Sequence, residues 1–168
     1  MSAMPIAAHE ALENLHSAEE LHQFLDNHVE LPRQEIANHI HAEIVSRVVV
    51  DRGKAQRLSR IARWLAEAGH DAYIHGIADR CEGHVEYAAA HYDAALRAYD
   101  SAINQFDLLG LSHETAKTLT GSMQSLIYLG RNDDALAFAV RARKIFEQYA
   151  DHPRLARLDC NEIGRAHV

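Results

Sequence analysis

The chain has 168 residues, with 17 Lys and Arg against 24 Asp and Glu, a net charge of −7 and an apolar share of 48%. That length suits one compact domain or a short repeat array, and the apolar share excludes a disordered chain. The acidic balance argues against a non-specific nucleic-acid coat, no apolar run nears the ~20 residues of a membrane span, and Cys81 and Cys160 lie too far apart to suggest a disulfide framework. Met1 to Pro5 lacks the basic and apolar regions of a signal peptide, so a cytoplasmic, reducing location is expected.

In chain order, residues 6–28 read as one or two short helices. Ser17-Ala18-Glu19-Glu20 is a capping-box start, and Leu21, Phe24 and Leu25 supply an apolar face. Pro32 opens a helix on which Ile36, Ile40, Ile44 and Val48 recur every four residues. Ile74, Ala78, Cys81, Val85 and Ala88 follow the same three/four spacing, as do Leu119, Ser122, Met123, Leu126 and Leu129. Turn signals fall at Gly69, Gly110, Gly130 and Asp151-His152-Pro153. Strand alternation is absent, and the predicted fold class is all-α.

Self-similarity carries most of the information. Asp93-Ala94-Ala95-Leu96 aligns without gaps on Asp133-Asp134-Ala135-Leu136, forty positions later, with Ala102 on Ala142 and Phe106 on Phe146. Ala55 and Ala62 extend the register backwards. Each alanine pair is two helical turns apart and so shares one face, where a small side chain lets a neighbouring helix come close.

The run Leu119, Ser122, Met123, Leu126, Gly130, Arg131, Ala135, Ala142 resembles the tetratricopeptide repeat (TPR) family, with the large/small/large rhythm of its first helix and the two small positions of its second. Gly83, Tyr92, Ala95, Tyr99 and Ala102 fit the preceding unit, whereas Asp79, Glu82 and Glu86 stand where apolar residues are usual. The period of 40 exceeds the usual ~34, and in this the chain is similar to the arrays of kinesin light chains and of CHAT-domain proteins. The resemblance implies a right-handed α-solenoid of antiparallel helix pairs. Its units are placed at about 32–69, 70–110 and 111–151, with a half-unit at 152–168 and an N-terminal helical cap at 1–31. It also implies a concave groove lined by the first helix of each pair. Arg80, His84, Tyr87, Lys117, Thr120, Gln124, Tyr128, Asn161 and Arg165 are placed there, a row of amide, cationic and aromatic side chains suited to carboxylates and peptide backbone.

Thirteen histidines are an unusual number, and the helical stripes Glu35/His39/Glu43 and His75/Asp79/Glu82/Glu86 put possible metal ligands on one face. No HExxH or Cys/His zinc spacing accompanies them, so neither a metal nor another cofactor is assigned. Cys81 and Cys160 sit among apolar neighbours and read as inert thiols rather than nucleophiles. Arg52, Lys54, Arg57, Arg60 and Arg63 read as a solvated basic face, and without interleaved aromatics they do not favour nucleic acid.

The expected function is a non-catalytic protein–protein interaction scaffold that binds a peptide or protein segment, a regulatory part of a larger protein. The orphan half-unit offers a surface for a second copy. The alternative from another class is a small helical metal-binding protein or enzyme built on the histidine/carboxylate stripes.

Overall fold

The computed structural model describes residues 4–165, and their side chains as far as Asp159. Among the described residues there are nine helices and no strand. They are α1 (Ile6–Glu13), α2 (Ala18–Asn27), α3 (Arg33–Arg47), α4 (Arg52–Glu67), α5 (Ala72–Ala88), α6 (Tyr92–Leu108), α7 (Ser112–Tyr128), α8 (Asn132–Gln148) and α9 (His152–Arg165).

The starts follow local chemistry. Ser17 Oγ accepts from the Glu20 amide at 3.2 Å, while Glu20 Oε2 accepts from the His16 amide at 2.7 Å. These bonds satisfy donors that a helix start leaves open. Asp51 and Asp71 cap α4 and α5 through the Lys54 and Tyr73 amides, each at 2.9 Å.

The ends reveal a period that the sequence repeat conceals. Helices α5 to α8 are each 17 residues long and begin at 72, 92, 112 and 132. Each closes on a left-handed residue at the same place: Ala90 (φ 63°), Gly110 (69°), Gly130 (73°) and Ala150 (51°). All four make the same pair of hydrogen bonds. At the first, the Ala90 amide reaches Tyr87 O and the His91 amide reaches Glu86 O, both at 2.9 Å. This is the Schellman closure, which returns two orphan carbonyls to hydrogen bonding.

Consecutive helices from α3 to α9 pack on one another, and α3 also packs on α5, and α5 on α7. Helices α3, α5 and α7 therefore form a continuous layer. One apolar cluster runs from Leu12 of α1 through Leu21, Ile40, Ile61 and Ile77 to Phe106 of α6, and a second joins α6 to α9 through Leu119, Ala142, Phe146 and Leu158. The six alanines of the forty-residue register, Ala55, Ala62, Ala95, Ala102, Ala135 and Ala142, are all buried. Polar ties bind the layers: Asp107 of α6 accepts from Thr115 of α7 at 2.8 Å and from Arg141 of α8 through both carboxylate oxygens at 2.7 Å.

Candidate functional site

The layer of α3, α5 and α7 brings together much of the polar row read from the sequence. Arg80 lies inside it, 3% exposed. Its Nη1 donates to Glu114 Oε2 at 2.8 Å and to Thr118 Oγ1 at 3.5 Å, and its guanidinium carbon stands 5.3 Å from the centre of the Phe106 ring. Lys117 donates to the other Glu114 oxygen at 2.5 Å. Burial alone would raise the Glu114 pKa, but the two cations outweigh it and hold the carboxyl below its usual value. Glu114 is thus the residue that organises the two predicted cations; it sits 34 residues from Arg80, where no local spacing signals it.

His84 is half-buried and connects three helices. Its Nδ1 shares a hydrogen bond with the Tyr99 hydroxyl of α6 at 2.9 Å, and its Nε2 lies 3.3 Å from Nε2 of His41 on α3. A phenol donating to Nδ1 leaves the imidazole proton on Nε2, where it is shared with His41. Burial first, then the charge of Arg80, lowers the His84 pKa to about 3, and the same causes lower His41 well below its ordinary value. Burial pushes the Tyr99 hydroxyl upward. The chain Tyr99–His84–His41 is therefore neutral at physiological pH. His41 was absent from the predicted row, since its apolar neighbours on α3 gave no sign that it would face His84. Lys117 and Arg154 also act electrostatically on His41, so cations from α5, α7 and α9 converge there, against the carboxylates of Glu114 and of Asp151, which pairs with Arg154 at 3.3 Å.

Tyr87 and Tyr128 come together with Tyr92. Tyr92 and Tyr128 stack at 4.6 Å between centroids with 8° between planes, and Tyr87 stands 6.0 Å and 6.3 Å from them. Tyr128 is 61% exposed, so this aromatic group presents a face to solvent. Thr120 is half-buried and turns its hydroxyl to Ala116 O at 2.9 Å, and Gln124 is half-buried beside it on α7. The side chains of Asn161 and Arg165 lie outside the described residues.

The other sequence candidates separate clearly. Arg63 bridges Asp79 and Glu82, each at 2.6 Å, which uses two members of the His75 stripe as ion-pair partners. Lys54 pairs with Glu13 at 2.5 Å. Arg60 and Arg63 line an open cavity of about 430 Å³ between α4 and α5, together with Gln56, Ser59, Glu82 and Glu86. Cys81 is fully buried and its thiol is pushed up to about 12, which keeps it protonated at neutral pH; Cys160 lies outside the described side chains. In the remaining stripe Glu35 is exposed, whereas His39 and Glu43 meet His9 of α1, with one ligand atom from each lying within 4.8 Å of the others.

No helix of the described residues is long and apolar enough to cross a membrane. No family model matches the chain, and neither the curated proteins nor the solved structures provide a match.

Proposed function

We propose that this chain is a non-catalytic interaction scaffold of TPR-like type, which takes a peptide or protein segment along the face formed by α3, α5 and α7. The first helices pack on one another, whereas α4, α6 and α8 are joined mainly through them; an array built that way curves with its first helices inside. The observation that carries the reading is the neighbourhood, on that one face, of the cations Arg80 and Lys117 around Glu114 and an aromatic group of Tyr87 and the exposed Tyr128, joined by Tyr92 from the start of α6. Cations select carboxylates, and tyrosines provide rigid anchoring area at small entropic cost. The preferred guest is an extended segment bearing an acidic side chain or a C-terminal carboxylate next to an apolar one. In this reading the array is the regulatory part of a larger protein, and the end of the stack beyond α9 accepts a second copy.

A peptide array scanned with the purified protein tests the groove. Acidic peptides are expected to bind, and Lys117→Ala and Tyr128→Ala are each expected to weaken binding at least ten-fold while the helical circular dichroism is retained. Absence of binding, or binding indifferent to both substitutions, would sink the proposal. Light scattering tests the second copy: a dimer that becomes a monomer when residues 152–168 are deleted supports it, and a monomeric full chain overturns it.

A further inference from the structure

The helices α1 and α3 carry the same pair of residues at the same spacing. His9 and Glu13 are four apart on α1, and His39 and Glu43 are four apart on α3, so each pair occupies one helical face. The faces meet. His9 Nδ1 lies 2.7 Å from His39 Nε2, and the rings stand edge to face at 4.9 Å between centroids. On the far side of His9, Nε2 lies 3.3 Å from Glu13 Oε1, an oxygen that is buried and carries no hydrogen bond. The other Glu13 oxygen accepts from Lys54 at 2.5 Å. Glu43 Oε2 accepts from Arg47 Nε at 2.7 Å, and a Glu43 oxygen lies within 4.8 Å of the ligand nitrogens of His9 and His39.

We propose that His9, His39 and Glu43 are a three-ligand site for a borderline divalent metal ion of the zinc type, with Glu13 as the positioning residue for His9. Two imidazoles and a carboxylate are the donor set such ions take when one position is left to water. Tetrahedral ligands on bonds of about 2.0 Å lie about 3.3 Å apart, so the two nitrogens need separate by only roughly half an ångström. The surroundings prepare each ligand. A Glu13 carboxylate oxygen 3.3 Å from His9 Nε2 stands where it would accept a proton held there once the Nδ1 lone pair turns to the ion, the carboxylate–histidine–metal arrangement found at metal centres. Burial and the neighbouring His9 lower the His39 pKa, which favours the neutral, ligating ring. Burial opposes the Glu43 charge, but Arg47 outweighs it and keeps the carboxylate ionised. Bound here, the ion would clip the N-terminal cap to the first helix pair, which distinguishes the site from the groove on α3, α5 and α7 and makes it independent of what that groove binds.

The test is zinc titration of the untagged, chelator-stripped 168-residue chain by calorimetry, with Co²⁺ absorption as a second measure of ligand geometry. One equivalent of zinc is expected, with a melting temperature that rises on loading. His9→Gln and His39→Gln are expected to weaken binding at least ten-fold and to abolish that rise, and Glu13→Gln to weaken binding about ten-fold. His22→Ala, an exposed histidine on α2, is expected to leave binding unchanged. Circular dichroism establishes that the variants are folded. The proposal is overturned if the wild type takes up no zinc, or if a folded His9→Gln/His39→Gln double variant binds zinc as tightly as the wild type.

Discussion

The Tyr99 ring lies so close to α5 that a β-carbon on Gly83 would fall 2.6 Å from its Cε1. One turn-pair earlier, Gly76 stands in the same relation to Phe106, at 2.7 Å. Both rings are fully buried, so neither can swing aside. Glycine is what allows α5 and α6 to touch through aromatic side chains.

Replacing Gly83 by alanine sets two effects against each other. Helix propensity favours alanine by about 1 kcal/mol, while overpacking a filled core costs typically about 1–3 kcal/mol. The fixed ring makes the second dominate. Gly83→Ala is expected to destabilise by about 1–2 kcal/mol in urea melts. Gly53→Ala, whose new methyl would meet only Asp51 Oδ1 at 3.6 Å, is expected to be neutral or slightly stabilising.

Two of the four helix closures hold alanine in the left-handed region, at Ala90 and Ala150. That conformation costs an L-residue about 1–2 kcal/mol, part of which glycine returns as greater unfolded-state entropy. Ala90→Gly and Ala150→Gly are each expected to stabilise by about 0.5–1 kcal/mol. The converse substitutions, Gly110→Ala and Gly130→Ala, find open space for the methyl but the wrong φ, and are expected to destabilise by a similar amount. Thermal melts of the four variants read this directly.

Arg80 depends on Glu114 for its charge balance. Glu114→Ala leaves a buried guanidinium without its carboxylate, a loss of about 3 kcal/mol. Arg80→Met is expected to cost less, because Glu114 retains Lys117 and the thioether side chain fills the same space against Phe106. Chemical denaturation of the two single variants and the double variant gives the coupling between them.

Acid is expected to destabilise the protein through two kinds of group. His41 and His84 have folded pKa values below their unfolded value of about 6.5. The unfolded chain therefore takes up protons that the folded chain refuses, and stability present above pH ~6.5 declines as the pH falls, by up to about 1.4 kcal/mol per pH unit for each ring. Glu114 also has a depressed folded pKa, so its contribution is present above its unfolded value and is lost as pH falls through the folded one. Measured in chelator, stability between pH 6.5 and 4 is expected to be flatter in a His41→Gln/His84→Gln variant. An unchanged slope would show that these rings are not the acid-sensitive groups.

The all-helical class was legible because Ile36, Ile40, Ile44 and Val48, and the later apolar stripes, keep a helical period over long spans with few breaks. The Ser17–Glu20 start was legible because its chemistry is local. The twenty-residue spacing of helix ends was hidden, since alternate helices do different packing and only the forty-residue recurrence leaves matching residues; Ala90 and Ala150 also lack the glycine that marks Gly110 and Gly130. In the site, Arg80 reads as a groove cation, but what it meets is set by Glu114, a partner fixed only by tertiary packing. His9 gave no signal, because a metal-ligand pattern split between α1 and α3 has no fixed sequence spacing.

The regular closures have an architectural consequence. With 17 residues of helix and three of connector at every step from α5 to α8, the array can be lengthened or shortened in only one way that keeps its faces in phase. Duplicating or excising forty residues would preserve which helices join the layer of α3, α5 and α7. A change of twenty would put helices in the positions of α4, α6 and α8 where that layer's helices stood, and a single-residue insertion within a helix would rotate every following side chain of that helix by about 100°.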